Sequence, residues 1–388
     1  MSSLGDALRI AGDRTDNIQN IIGIDDFNGD ERDDFVVGAP NAGGGQGRVY
    51  IAYRRDEAIE GDFVLPKLGR APGDPERLDG MLIVSTGVND ALGSSLAGGF
   101  DFNNDGVSDL VIGSPNALGG VGEVLIVFGN PGIITGANGI SVNELLTTRR
   151  TTDGRPVAVR IKGNLRDSDG QLGFNVANAG DVDGDRLDDL LIAAPNASPR
   201  FDPDPNDADD TLTDLGLDLD FNGELDDVSG PAGRPDGSLD QFDYLKNAGV
   251  VYIILSGNRL DRVRTCADSG RACESDADCD EGELCSTSDM TIGIDQLGTK
   301  QLRGFMIVGR HEGDRLGGGD AGDSDAGGTE TKAGRGRSRG LTSAGDVDGD
   351  GYADILIGSI LADPRRDPNT GEGLENGGEA YLIYGFSP

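Results

Sequence analysis

The sequence predicts an all-β fold of four repeats, each a small sheet, on three observations. One acidic loop of nine residues recurs four times, as Asp26–Asp34, Asp101–Asp109, Asp181–Asp189 and Asp346–Asp354. Each loop runs directly into a short apolar run: Phe35-Val36-Val37-Gly38, Leu110-Val111-Ile112-Gly113, Leu190-Leu191-Ile192-Ala193 and Ile355-Leu356-Ile357-Gly358. The remaining apolar residues also fall in β-rich runs bounded by Gly, Asp and Asn, in a chain with 64 glycines and only 5% aromatics. That is a pattern of strands and tight turns, and self-similarity lets one repeat domain take up all 388 residues.

Around each loop the chain reads as four strands. In the second repeat these are Met81–Ser85, Ser94–Gly98, Leu110–Gly113 after the loop, and Glu123–Gly129. First strands recur at Leu8–Ile10, Val157–Ile161 and Phe305–Val308, and last strands at Arg48–Tyr53, Val250–Leu255 and Ala380–Gly385. The strand after the loop is continuously apolar, as a strand buried on both faces between neighbouring sheets would be. The first position of the loop recurs after 75, 80 and then 165 residues, and inserts account for the long gap. The expected division is blade 1 over 1–66, blade 2 over 67–131, and blade 3 over 150–258 with an Asp/Pro-rich insert at 198–246. A Cys-rich insert at 259–295 and blade 4 over 296–388, with a Gly-rich insert at 320–339, complete it. The inserts are expected on the rim, because their composition cannot bury a core. Four-stranded units stacked face to face describe a β-propeller.

The loop itself is built for a hard cation. Positions 1, 3, 5 and 9 carry side-chain oxygens: Asp26, Asn28, Asp30 and Asp34; Asp101, Asn103, Asp105 and Asp109; Asp181, Asp183, Asp185 and Asp189; Asp346, Asp348, Asp350 and Asp354. The backbone carbonyls at position 7, on Arg32, Val107, Leu187 and Tyr352, add a further oxygen to each set. Calcium takes six to eight oxygens in flexible geometry, and alternating side chains in a tight turn converge on such an ion. Position 9 is expected to close the shell with both of its oxygens, and glycine at position 4 or 6 to permit the left-handed turn. Asn28 and Asn103 lower the charge of the first two loops, which are therefore expected to bind more weakly. An EF-hand is excluded: its twelfth position would be Glu, and here it is Val37, Ile112, Ile192 or Ile357. The competing reading, four solvated turns rich in good turn residues, does not account for a fourfold identical spacing. A fifth acidic stretch, Asp218–Asp226, has similar spacing but no following strand.

These loops, with Leu172-Gly173-Phe174 upstream and Gly38-Ala39-Pro40, Gly113-Ser114-Pro115 or Ala193-Ala194-Pro195 downstream, resemble the FG-GAP repeat of integrin α-subunit propellers and their bacterial secreted relatives. The likeness covers the four repeats and not the inserts. It implies Ca2+ bound in blade hairpins, extracellular recognition through loops on one face, and a secreted or cell-surface location. Integrin propellers have seven blades, whereas four repeats are recognisable here, so an incomplete arc that associates, or that belongs to a longer protein, is expected rather than a closed four-blade ring.

Composition narrows the function. A formal charge of −36 repels nucleic-acid backbones and anionic membrane surfaces, and no apolar run is long enough to insert in a bilayer. Cys266, Cys273, Cys279 and Cys285 lie in a Gly/Asp/Glu-rich segment and read as two disulfides formed in an oxidising compartment, since their spacing lacks the close pairs of a zinc knuckle. The N-terminus lacks the basic and apolar regions of a secretory signal, so a removed leader or a longer parent protein is expected. His311 is the single histidine, which excludes multi-histidine metal chemistry. The chain has no Trp to stack on a sugar. The basic run Gly334–Arg339 reads as a solubilising loop, with docking of an acidic partner as its functional alternative, and Asn196-Ala197-Ser198 matches a glycosylation acceptor. The reading is a non-enzymatic, calcium-stabilised binding, adhesion or assembly module, its partner an extracellular protein or further copies of the chain. The alternative is the propeller portion of a secreted polysaccharide-active or other hydrolytic enzyme, whose catalytic part is carboxylate-based or lies outside this chain.

Overall fold

The structure, a computed structural model, describes residues 8–13, 16–54, 61–65, 68, 79–130, 139–149, 151, 155–164, 169–201, 243–244, 247–257, 260, 265–266, 285–286, 290–299, 302–310, 313–320, 337–362 and 378–386. These residues form mostly strands, in several separate sheets. Four of the sheets carry the acidic loops. Sheet one runs Asn20–Ile24, Asp34–Ala39, Arg48–Ala52 and Gly80–Val84, with Ile140–Ser141 added in parallel at its rim. Sheet two runs Ser95–Phe100, Asp109–Ser114, Glu123–Val127 and Ala158–Lys162, with Thr291–Gly293 added in parallel. Sheet three comprises Asn175–Gly180, Asp189–Ala194, Val250–Ile254 and Gly304–Val308, and sheet four Leu341–Gly345, Asp354–Ser359 and Glu379–Ile383. In each, the acidic loop joins the first two strands, which pair in antiparallel register.

The sheets are offset by one strand from the repeats as read in sequence. Gly80–Val84 pairs with Arg48–Ala52 as the outermost strand of sheet one, although it was expected to begin the second repeat. Likewise Ala158–Lys162 pairs with Glu123–Val127 and Gly304–Val308 with Val250–Ile254. Self-similarity fixes the period of a repeat but not where one sheet ends and the next begins, because any starting phase gives the same spacing. The segment Leu8–Ala11, expected as the first strand of repeat one, instead pairs in parallel with Gly61–Val64.

Successive sheets pack face to face. One continuous core joins sheets one, two and three, through residues such as Val36, Ile112, Val111 and Ile192. A second core joins sheets three and four through Leu191, Val251, Ile253, Ile355 and Ile357. In sheets one to three the strand after the loop therefore supplies buried apolar side chains to both faces, as its unbroken apolar sequence requires, whereas in sheet four Ile355 and Ile357 are buried and Leu356 is 40% exposed. A third cluster lies on the far side of sheet one, where Phe63, Leu65 and Leu68 cover Val37, Tyr50 and Ala52. The glycines that end the buried strands permit the close approach: a Cβ on Gly113 would stand 2.0 Å from the Gly173 carbonyl oxygen, and one on Gly38 2.5 Å from that of Gly93. Gly93 and Gly173 sit in turn at φ +87° and +82°, a conformation that glycine adopts without strain.

Among the inserts, Arg200–Phe201 pairs with Asp243–Tyr244, and Gly318–Asp320 with Arg337–Arg339, so part of the basic run is in a hairpin. Thr265–Cys266 pairs with Cys285–Ser286, with Cys266 directly opposite Cys285 on the backbone. Cys273, Cys279, His311 and the acidic stretch Asp218–Asp226 lie outside the described residues. Asn196 is buried and its amide donates to Gln171 Oε1 at 3.0 Å, so the Asn196-Ala197-Ser198 triplet presents no free acceptor for glycosylation. No helix among the described residues is long and apolar enough to cross a membrane.

Candidate metal centre

The four loops share one hydrogen-bonded frame. The carboxylate at position 1 turns back on its own loop and accepts from the N–H of position 6, at 2.6 Å for Asp26 and Asp101, 2.9 Å for Asp181 and 3.0 Å for Asp346. Its other oxygen accepts from position 5 in the first, second and fourth loops, at 2.9, 3.0 and 3.1 Å, and from Gly184 at 2.6 Å in the third. Position 4 is left-handed throughout, as Gly29, Asn104, Gly184 and Gly349, and so is position 6, as Glu31, Gly106, Arg186 and Gly351. The sequence expectation of glycine at one or other position thus understates the turn. Both positions reverse the chain, and Asn104, Glu31 and Arg186 do so against side-chain sterics.

Position 9 has a second role that the spacing did not reveal. Asp34, Asp109, Asp189 and Asp354 are all buried, and in each both oxygens accept backbone N–H groups. One oxygen takes the N–H of loop position 2: Phe27 at 3.2 Å, Phe102 at 2.8 Å, Val182 at 2.9 Å and Val347 at 2.7 Å. The other takes the N–H just past the third strand of the same sheet: Arg54 at 2.9 Å, Gly129 at 2.9 Å, Ser256 at 2.8 Å and Gly385 at 2.9 Å. The side chain therefore ties the loop to a strand end some twenty or more residues away. The available sequence signal was its place immediately before an unbroken apolar strand.

Burial makes these carboxylates reluctant to ionise. Desolvation holds Asp34 up at about 6, with the charges of Asp30 and Asp26 adding to the shift. Asp189 is held at about 7 for the same primary reason, with Asp183 and Asp185 contributing. Asp109 is pushed well above the usual carboxylate range by its burial, and burial also raises Asp105 and Asp185.

Donor chemistry and orphaned oxygens together test whether a cation fits. In the third loop Asp181, Asp183 and Asp185 bring carboxylate oxygens within 4.8 Å of one another, and in the fourth Asp346, Asp348 and Asp354 do the same. In the first two loops the asparagine at position 3 donates to position 5, Asn28 to Asp30 and Asn103 to Asp105, each at 3.1 Å. Asp30 Oδ1 and Asn103 Oδ1 are nonetheless buried without a hydrogen-bond partner among the described residues. An all-oxygen set with partnerless buried oxygens suits calcium or another hard divalent ion. In the third loop Arg303 Nη2 lies 3.4 Å from the buried Asp183 Oδ2, so a cationic group already meets that carboxylate. The position 7 residues enter through their backbone: the N–H groups of Val107, Leu187 and Tyr352 donate to the position 5 carboxylates at 3.1, 2.9 and 2.9 Å.

The FG-GAP repeat family matches residues 20–51, 92–127 and 341–383. The chain carries FG-GAP repeats. Each matched segment spans an acidic loop and the strands on either side of it, and the third sheet, whose second and third strands are separated by the 198–246 insert, has the same loop and clamp without falling in a matched segment. The chain is also similar to integrin alpha-IIb of Mus musculus, 26% identical over 183 residues. That stretch is 46% of this chain and 15% of the integrin subunit, so the chain spans only a small part of the relative's length.

Proposed function

We propose that the chain is a calcium-stabilised β-propeller module that binds or assembles with proteins outside the cell, without catalytic activity of its own. The observation that carries this reading is the loop set: one frame built four times, with convergent carboxylates in the third and fourth loops and a partnerless buried oxygen in each of the first and second. The FG-GAP repeats and the similarity to an integrin α subunit support the propeller, the extracellular setting and a protein partner. Asp26, Asp101, Asp181 and Asp346 at position 1, with positions 3 and 5 and the position 7 carbonyls, would hold the ion. Position 9 shapes the loop and offers its remaining lone pairs. When bound, calcium supplies charge neutralisation and cross-linking of the loop.

Extracellular calcium sites have dissociation constants of about 0.1–1 mM, so millimolar calcium should contribute roughly 0.4–2 kcal/mol per site. Calorimetric titration of chelator-treated protein tests the proposal. Binding with millimolar affinity or better, weakened by Asp183→Asn and Asp348→Asn, is the expected result. A melting temperature and heat signal indifferent to calcium would refute it.

A further inference from the structure

The third acidic loop brings its own cation. Position 3 differs among the loops in charge and burial: Asn28 and Asn103 are neutral, Asp348 is acidic and exposed, and Asp183 is acidic and buried. The burial of Asp183 follows from packing by the next sheet. Ala353 N–H donates to the Asp181 carbonyl at 2.7 Å. A Cβ on Gly184 would stand 2.3 Å from the Tyr352 ring, so position 7 of the fourth loop leans on position 4 of the third. A carboxylate taken out of water in this way needs a counter-charge.

Asp183 and Asp348 use one oxygen alike, Oδ1 accepting from the N–H of position 5 at 3.2 Å in each loop. They part at the other. Asp183 Oδ2 faces Arg303 Nη2 at 3.4 Å, whereas no Lys or Arg pairs with Asp348 among the described residues. Backbone register delivers Arg303: its carbonyl accepts the Leu255 N–H at 3.1 Å, as that of Asp79 accepts from Tyr53 and that of Val157 from Phe128, each at 2.9 Å. The place just ahead of the outermost strand thus holds an acid in sheet one, an apolar residue in sheet two and a cation in sheet three. The first loop also has an ion pair, Arg32 with Asp30 at 3.5 Å, but with side chains 35% and 32% exposed it is screened by water. In the third loop the carboxylate is 1% exposed and the guanidinium 46%, so the pair is shielded at the acid while the Arg303 head keeps a way out to solvent.

We propose, resting on the calcium reading of the loops, that Arg303 is a built-in counter-cation of the third loop. It holds Asp183 while the loop is metal-free and competes with calcium for Oδ2, so the third loop binds calcium more weakly than the fourth. An ion entering among Asp181, Asp183 and Asp185, whose oxygens lie within 4.8 Å of one another, either displaces the guanidinium or binds against its charge. A single positive charge about 5 Å from a divalent ion lowers affinity about 10-fold even with water-like screening. The fourth loop gathers Asp346, Asp348 and Asp354 as closely, without that rival.

The test compares wild type, Arg303→Gln, Asp183→Asn and the double variant, by melting in excess chelator and in millimolar calcium, and by calorimetric titration with calcium. Arg303→Gln should melt at least about 2 °C lower in chelator, because Asp183 is left buried without its partner, and calcium should recover most of that loss. One calcium site should tighten about 10-fold while the others keep their affinity. In the Asp183→Asn background Arg303→Gln should lower melting in chelator by much less, since the pair is already broken. Arg303 is nearly half exposed, so its replacement opens no cavity in the core. An equal loss of melting temperature with and without calcium, or a calcium affinity unchanged or weakened in Arg303→Gln, would overturn the proposal. A wild type whose melting and heat signal ignore calcium refutes the metal reading itself, whereas a wild type that responds while Arg303→Gln binds no tighter refutes only the competition.

Discussion

Asp109 decides whether position 9 is chiefly a metal ligand or a structural clamp. Replacing it by Ala removes the acceptor of the buried Phe102 and Gly129 N–H groups and of the partly buried Asn103 N–H at 3.3 Å. A buried donor left unsatisfied costs about 1–3 kcal/mol, so the two fully buried donors alone set a loss of about 2–6 kcal/mol, comparable to much of a domain's stability. Asp109→Asn keeps one acceptor oxygen and removes a charge that burial disfavours, so it should cost less than Asp109→Ala. The assay is urea unfolding of wild type and both variants in excess chelator, where no ligand role can contribute. A ligand-only position 9 predicts the reverse there: both variants would match or exceed wild type, because the repulsion from Asp101 and Asp105 is relieved. Finding Asp109→Ala within about 0.5 kcal/mol of wild type in chelator would refute the clamp.

Lowering pH should stabilise the metal-free protein. Asp34 and Asp189 titrate at about 6 and about 7 when folded, above the ordinary carboxylate value. Their contribution is thus fully present below about 4 and is lost as pH rises through 6 and 7. Melting temperature in chelator should rise from pH 8 to pH 5, less steeply in Asp189→Asn, and a flat or falling profile would contradict the sign. Glu31→Gly and Arg186→Gly relieve left-handed non-glycine positions at φ +67° and +72°, and each should stabilise by about 0.5–1 kcal/mol in chemical denaturation. Gly113→Ala should destabilise by about 1–3 kcal/mol, because its Cβ would meet the Gly173 carbonyl at 2.0 Å; an unaltered unfolding midpoint would show that the contact yields freely.

The legible part of this fold is the part that repeats, and the reason is physical. A loop that must reverse the chain within nine residues and then enter a strand buried on both faces leaves few residue choices, so Asp, Asn, Gly and an unbroken apolar run mark it wherever it occurs. The partner of each strand carries no such mark. Gly80–Val84 could serve either neighbouring repeat, and only the pairing of Leu82 with Tyr50 places it in sheet one. The second role of position 9 stayed hidden for a related reason: its distant donors, Arg54, Gly129, Ser256 and Gly385, act through backbone N–H groups and not through their side chains. Backbone donors leave no trace in composition. The four residues are Arg, Gly, Ser and Gly, with no type common to all, so no motif search over side chains would find the set, yet they fix each loop to its sheet and thereby set the position of the oxygens that face the ion. The metal chemistry could thus be read from the sequence, whereas the frame that holds it in register became visible only once the third strand was placed beside the second.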